Sequence, residues 1–223
     1  MHIILMADDS GSMSDGSSPT PAQLVTEGIR NWILELQMLT KGGKKSYFAF
    51  TCIVFGSHAE PLVEWAWVHD IDASQLLIDG TSGTTNMVEA FSLARDILLK
   101  PCPLKGAPPL TAWNEPFVFL YSDGAPTDAD GHISDGRDVL SAAQALKALR
   151  LPCGSPFVIT LGFGGGVNTT LMRQIASTPG AYKHCESAAE LAKLLPAVGT
   201  IATGGGGRAT TDAWKARVSG LEL

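Results

Sequence analysis

The chain has 223 residues, 45% of them apolar and 17% charged, with a formal net charge of −6. This apolar content excludes intrinsic disorder. The negative balance argues against nucleic acid or an anionic membrane as partner, since both need a positive footprint. A chain of this length buries roughly 70% of the surface its unfolded form exposes, so it needs no disulfide or metal staple to hold a core.

The first element is the apolar run His2 to Ala7, which reads as a buried strand and meets Asp8 and Asp9. A helix follows from Pro21 to Leu39, with Val25, Ile29, Trp32, Ile33, Leu36 and Leu39 at helical spacing. Two β-rich runs, Ser46 to Phe55 and Leu62 to Val68, are placed to pair as an antiparallel hairpin around Gly56-Ser57-His58. Within the second, Trp65 and Trp67 share a face by period two, as sheet-packing residues do. A helix over Asn86 to Leu99 presents Met87, Ala90, Phe91, Ala94, Ile97 and Leu98 on one side. A Pro-rich connection at 101–116 leads to the strand Pro116 to Tyr121. Then come a helix over Asp138 to Leu149 (apolar at Val139, Ala142, Leu146 and Leu149), the strand Phe157 to Phe163, a helix over Thr170 to Ala176 and the strand Tyr182 to Cys185. Ser187 and Glu190 form a capping-box pattern for a last helix, Ala188 to Leu195. Residues 1–200 read as one domain, and 201–223, opening on Gly204 to Gly207, as a Gly-rich linker and C-terminal tail.

Near-continuous apolar strands separated by helices imply an α/β fold. The expected form is three-layered and doubly wound: a mostly parallel central sheet with one antiparallel edge strand and helices on both faces. The uncharged run Leu151 to Met172 is broken by prolines and glycines and does not read as a membrane span. The apolar N-terminal run is too short for a signal-peptide core. Cys52, Cys102, Cys153 and Cys185 form no Cys-x-x-Cys pair and read as reduced, isolated thiols in a cytoplasmic protein. The histidines are scattered, with structural or surface roles expected. Asp128-Ala129-Asp130-Gly131 lacks the remaining ligands of a calcium loop.

In open α/β sheets, ligands bind outside the carboxyl ends of the strands. Three polar clusters fall in such loops: Asp8-Asp9-Ser10-Gly11-Ser12, Gly83-Thr84-Thr85-Asn86 and Asp123-Gly124. Each is rich in hard oxygen donors, and none contains His or Cys. Oxygen-only ligation with few carboxylates suits Mg²⁺ or Mn²⁺ rather than Zn²⁺, with Ca²⁺ also open. The windows 8–20, 70–86 and 121–131 also hold Asp8, Asp9, Asp15, Asp70, Asp72, Asp79, Asp123, Asp128 and Asp130 but no Lys or Arg. Net negative charge is therefore concentrated at this edge, where a divalent cation would offset part of it.

The Asp-x-Ser-x-Ser segment, the separate Thr and the separate Asp resemble the metal-ion-dependent adhesion site of von Willebrand factor type A domains. The resemblance covers roughly residues 2 to 198 and extends to the order of strands and helices. Ser122 to Asp128 and Leu161 to Gly164 are similar to family segments, and bacterial TerY-like (tellurium-resistance-associated) proteins look closest within the family. The resemblance implies Ser10, Ser12 and Thr85 as hydroxyl ligands, with Asp8 and Asp123 behind them, contacting the metal through water. Thr84 and Thr85 are adjacent candidates; the family's spacing to Met87, Ala90 and Phe91 favours Thr85. Asp9, at a position where the family varies, is expected to face solvent.

The leading expectation is a non-catalytic, divalent-metal-dependent protein-binding module. By resemblance, a partner's Asp or Glu would complete the coordination, and the setting would be a bacterial stress-response or signalling system with an associated kinase or phosphatase. One alternative is a Mg²⁺-dependent phosphoryl-transfer enzyme. It fits poorly, because Ser10 stands where a dehalogenase-like phosphatase needs its second acid. A receiver domain would use Asp8-Asp9 but needs a later Lys, and none precedes Lys147 after Asp123. No Gly-x-Ser-x-Gly elbow is present for a serine hydrolase. The other alternative is a scaffold with a vestigial metal site, docking through the Pro-rich segment or the tail.

Overall fold

Six strands form one sheet in the order β3-β2-β1-β4-β5-β6. They are β1 (His2–Asp8), β2 (Ala49–Phe55), β3 (Ala59–Trp67), β4 (Phe117–Ser122), β5 (Phe157–Phe163) and β6 (Tyr182–Cys185). The computed structural model describes residues 1–16, 18–40, 48–128, 130–187 and 190. All neighbouring strands run parallel except β3, which pairs antiparallel with β2 at one edge. The sheet is the doubly wound α/β arrangement expected from the alternation of strands and helices.

Helices cover both faces: α1 (Pro21–Thr40) on one, and α2 (Met87–Leu99), α3 (Arg137–Lys147) and α4 (Thr169–Ile175) side by side on the other. Strand parity shows the division. Trp32 of α1 meets Phe50 and Phe119 edge-on, with ring centroids 6.1 and 5.1 Å apart. Thr160, in register with Leu120, faces the opposite way and donates its hydroxyl to the Met172 carbonyl of α4 at 2.9 Å. Every residue of β1, β2, β4 and β5 is buried, which is why these strands read as unbroken apolar runs.

The hairpin turn is three residues long, closed by the Gly56 N–H donating to the His58 carbonyl at 2.9 Å, so β3 begins at Ala59 rather than Leu62. Its first residues were illegible as strand because Glu60, Pro61 and Leu62 are all exposed at the sheet edge. Trp65 and Trp67 are buried and meet Trp113 at 6.2 and 5.9 Å between centroids, the sheet-face packing their spacing implied. Leu39, expected on the buried face of α1, is instead 41% exposed. The buried stripe runs from Leu36 to Thr40, the next position one helical turn on. α3 closes at Lys147, two residues short of Leu149; it buries Ala143, while Ala142 is only half-buried.

All four cysteines are free. Among the described residues, no helix is long and apolar enough to cross a membrane. The first half of the last predicted helix's capping box forms, with Glu190 N–H donating to Ser187 Oγ at 3.2 Å. The rest of that helix and the tail at 201–223 lie outside the described residues, as do 41–47.

Candidate functional site

The carboxyl ends of β1 and β4 lie side by side, Ala7 pairing with Tyr121. The next residue on each strand therefore meets the other: Ser122 Oγ donates to Asp8 Oδ2 at 2.5 Å. Asp8 Oδ1 accepts the Ser10 N–H at 2.9 Å. The chain then turns through a short 3-10 segment, Gly11–Ser14, which is anchored from below by the fully buried Met13. This turn lifts the Ser10 and Ser12 hydroxyls to the same edge, 3.2 Å apart. Ser12 Oγ in turn donates to Asp123 Oδ1 at 2.8 Å. Asp8, Ser10, Ser12 and Asp123 thus form one hydrogen-bonded group.

The two neighbouring threonines part ways. Thr84 Oγ1 lies 3.2 Å from Ser57 Oγ, which also accepts the Thr84 N–H at 3.1 Å, so this side chain belongs to the β2–β3 turn. Thr85 is buried, and a methyl placed on Gly124 would lie 3.6 Å from its Oγ1. Its hydroxyl therefore sits beside the residue that follows Asp123. The Thr85 backbone is clamped on both sides: its N–H donates to Thr127 Oγ1 at 2.8 Å, and its carbonyl accepts the Thr127 N–H at 3.0 Å. Asn86 then caps α2, accepting the Glu89 N–H on its side-chain oxygen at 3.3 Å.

Electrostatically the group is short of positive charge. Asp8 is fully buried, and this burial pushes its carboxyl up to about 7 against the lowering effect of its Ser10 and Ser122 hydrogen bonds. Burial also raises Asp123, while the Ser12 hydroxyl opposes the shift. Among the described residues, no Lys, Arg or His pairs with either carboxylate. Two desolvated carboxylates beside three hydroxyls, with no cationic side chain to answer them, are a donor set that fits a hard divalent cation.

Asp9 does not face solvent. It is 7% exposed, and its carboxylate accepts from Asp79 N–H at 3.0 Å, Gly80 N–H at 2.7 Å and Ser82 Oγ at 2.5 Å. Sequence spacing could not show this, because its partners lie on a loop 70 or more residues away. Ser122, Thr127 and Ser57 were likewise not singled out. Asp128, Asp130 and His132 bring their ligand atoms within 4.8 Å of one another, all three exposed. Asp128 Oδ1 is taken up by the Asp130 and His132 N–H groups of its own turn. An open groove of about 670 Å³ runs along α1 past Gln23, Arg30, Leu34 and Gln37, and no candidate site residue lines it.

No family model matches the chain, and no curated protein does. Solved structures do. Proximal thread matrix protein 1 from the mussel byssus, in a structure with a zinc-occupied MIDAS motif, superposes with a TM-score of 0.65 at 16% identity, over 90% of this chain and 47% of that one. The pilus adhesin SpaC from Lactobacillus rhamnosus GG gives 0.71 at 16% identity, over 91% of this chain and 30% of that one. The vWF domain of the type V pili tip protein Mfa5 from Porphyromonas gingivalis gives 0.59 at 14% identity, over 94% and 98%. The chain thus spans about half the length of the mussel protein's chain and less than a third of SpaC's. At these identities the likeness shows the fold: the chain has the fold of a von Willebrand factor type A domain.

Proposed function

We propose that the chain is a non-catalytic protein-binding module whose binding edge is completed by a divalent cation held by Asp8, Ser10, Ser12, Thr85 and Asp123. The observation that carries this reading is the hydrogen-bonded group running from Ser122 through Asp8, Ser10 and Ser12 to Asp123, with two desolvated carboxylates and, among the described residues, no cationic side chain paired to them. When bound, the cation supplies positive charge and an exchangeable coordination position for a carboxylate from outside. The chain's own residues do the rest. Ser122 orients Asp8, Asp123 orients the Ser12 hydroxyl, and the Thr127 clamp fixes the Thr85 backbone. Truncating one member of such a buried charge pair typically costs about 2–5 kcal/mol, so a single partner Asp or Glu could decide binding.

Mg²⁺ is the proposed ion, with Mn²⁺ or Ca²⁺ as substitutes, because every donor is a hard oxygen. The zinc in the mussel protein's MIDAS motif supports divalent-metal binding in this fold in general. The non-catalytic reading is supported by Ser10 standing where a phosphatase would need a second acid and by a groove that lies away from the site. Structural neighbours that are matrix and pilus proteins point the same way. The proposed domain is 1–200, with 201–223 as a tail. A TerY-like setting, with a kinase or phosphatase as partner, rests on the sequence resemblance at Ser122 to Asp128 and Leu161 to Gly164. A cytoplasmic location rests on the four free thiols.

Titration calorimetry with MgCl₂ and MnCl₂ tests the reading, with acetate added to the Mn²⁺-loaded protein as a carboxylate probe read by Mn²⁺ spin resonance. Wild type should bind one ion and change its spectrum with acetate, and Asp8→Ala should bind none while keeping its circular dichroism. Absence of saturable Mn²⁺ binding by wild type, or unchanged binding by Asp8→Ala, would sink it.

A further inference from the structure

We infer that Asp9 is the positioning residue of this edge: its carboxylate seats the 79–85 loop and thereby sets the place of the Thr85 hydroxyl. The inference rests on the reading of Asp8, Ser10, Ser12, Thr85 and Asp123 as a cation site.

Asp9 is bound on every side. Its N–H donates to the Phe55 carbonyl at 2.8 Å, and its carbonyl accepts the Ser82 N–H at 2.9 Å. Its carboxylate takes two backbone N–H groups and one hydroxyl, all from residues 79–82. A carboxylate has about four lone-pair sites, so three are filled by the loop. This leaves Asp9 poorly suited to ligate a metal directly, although it adjoins Asp8 and Ser10 in sequence. Its charge is instead dispersed over backbone donors, the kind of charge-assisted bond that is roughly twice as strong as a neutral one.

The loop also rests on Asp9's own segment at Gly80 and Gly83, and on the β2–β3 turn at Ser82. Gly80 has φ +74°, and a Cβ there would stand 2.5 Å from the Ser14 nitrogen, so the backbone lies directly against the 3-10 turn that carries Ser12. Gly11 N–H donates to the Gly83 carbonyl at 2.8 Å. Ser57 N–H donates to the Ser82 carbonyl at 2.7 Å. Only three peptide steps separate Ser82 from Thr85, so the seat of Ser82 sets the approach of Thr85 to Gly124 from one side while the Thr127 clamp holds it from the other. The Asp9 carboxylate adds three bonds to the two backbone bonds that tie the Asp8-to-Ser12 segment to the threonine-bearing loop.

Two effects of Asp9 must be separated, because removing its charge would also weaken a nearby cation. Asp9→Asn removes the charge but keeps an acceptor for the Asp79 and Gly80 N–H groups. Asp9→Ala removes both. Ser82→Ala keeps the charge and loses one loop bond, and it serves if Asp9→Ala fails to fold. The measurement is Mn²⁺ and Mg²⁺ affinity by calorimetry, with amide hydrogen exchange of residues 79–85 in chelator as the metal-free readout. The expected result is a loss of about 10–100-fold in affinity for Asp9→Ala, the usual effect of removing a ligand's supporting partner. Asp9→Asn should stay within about threefold, and Ser82→Ala should fall between the two. Exchange of the loop amides should accelerate in Asp9→Ala and Ser82→Ala. In the double variant Asp9→Ala/Thr85→Ala, the affinity should fall below that of Thr85→Ala by no more than the about threefold charge effect seen in Asp9→Asn, since the positioning effect of Asp9 acts through Thr85. Equal losses in Asp9→Asn and Asp9→Ala, or fully additive losses with Thr85→Ala, overturn the inference and leave Asp9 a mere nearby charge. A wild type that binds no Mn²⁺ overturns the site reading as well, an outcome distinct from wild-type binding that Asp9→Ala leaves intact.

Discussion

The Ser122 hydroxyl donates to Asp8 Oδ2 across the β1–β4 seam, and it is the one side chain that answers this buried carboxylate from the neighbouring strand. Together with the Ser10 hydroxyl and backbone N–H, it stabilises a buried negative charge less well than water does, since burial still raises the Asp8 carboxyl to about 7. Without a cation, Asp8 is therefore a burden on the fold. Asp8→Asn should raise the stability of the chelator-treated protein by about 1–3 kcal/mol near pH 7.5. The same variant should lose the stabilisation that Mg²⁺ gives wild type. Urea unfolding with and without EDTA reads both effects; a variant less stable than wild type in EDTA would show that Asp8 is adequately solvated as it stands.

The partition of Thr84 and Thr85 yields a sharper test of the site's membership. Thr85→Val keeps the shape of the side chain and deletes the hydroxyl that lies beside Gly124. It should lower Mg²⁺ affinity by about tenfold or more, equivalent to about 1.4 kcal/mol. Thr84→Val deletes a hydroxyl that faces Ser57 and should change the affinity by less than about threefold. Calorimetry on the two variants decides, and a larger loss for Thr84→Val would exchange their roles.

This pair also marks where sequence reading runs out. Asp8, Ser10, Ser12 and Asp123 were legible as candidates because Asp8 ends one fully buried strand, Asp123 follows directly on another, and Ser10 and Ser12 complete the Asp-x-Ser-x-Ser spacing that carries the resemblance. Thr84 and Thr85 are neighbours in a loop, where residue type and strand ends do not separate them: the choice of Thr85 rests on the family's spacing into the helix, and the structure adds the direction of each hydroxyl, Thr85 toward Gly124 and Thr84 toward Ser57. Asp9 was misread as solvent-facing because the donors that bury it come from residues 79–82, and nothing between 9 and 79 announces that contact. Ser122 needed the parallel register that sets Ala7 against Tyr121. The fold was more legible than the site because apolar periodicity is local, whereas hydrogen-bond partnership across loops is not.

At the opposite end of β1, His2 is a second buried ionisable group with a separate pH signature. Its Nε2 pairs with Thr51 Oγ1 at 2.9 Å, and its ring stacks on Trp65 at 3.8 Å between centroids. Burial lowers its pKa from 6.5 to about 3. The fold therefore holds the neutral ring, while the unfolded chain takes up a proton near pH 6.5. Its contribution is fully present above that pH and is lost at about 1.4 kcal/mol per unit as pH falls toward the folded value. Between about pH 7.5 and 5, wild type should lose about 2 kcal/mol more than His2→Gln, whose side chain does not titrate. Urea midpoints at the two pH values give the comparison; equal losses would mean that the ring is protonated inside the fold.

The β2–β3 turn is coupled to the site through a contact with no slack. A Cβ on Gly56 would lie 2.1 Å from the Ser82 carbonyl oxygen, a backbone atom that cannot rotate aside. That carbonyl is the acceptor for Ser57 N–H, and Asn86 N–H donates to the Gly56 carbonyl at 2.8 Å. Gly56→Ala must therefore push the 82–86 segment off its seat, the segment that delivers Thr85. It should destabilise the protein by about 1–3 kcal/mol, the usual cost of overpacking. It should also weaken Mg²⁺ binding, although residue 56 offers the cation no side-chain donor. Gly11→Ala is the control within the site's own loop: its Cβ would lie 3.6 Å from the Gly83 carbonyl, an ordinary contact, so stability should change by less than about 0.5 kcal/mol. Thermal unfolding and Mg²⁺ titration of both variants check the contrast. If Gly11→Ala proved the more damaging, the turn at 56–58 would not be what holds the threonine loop in place.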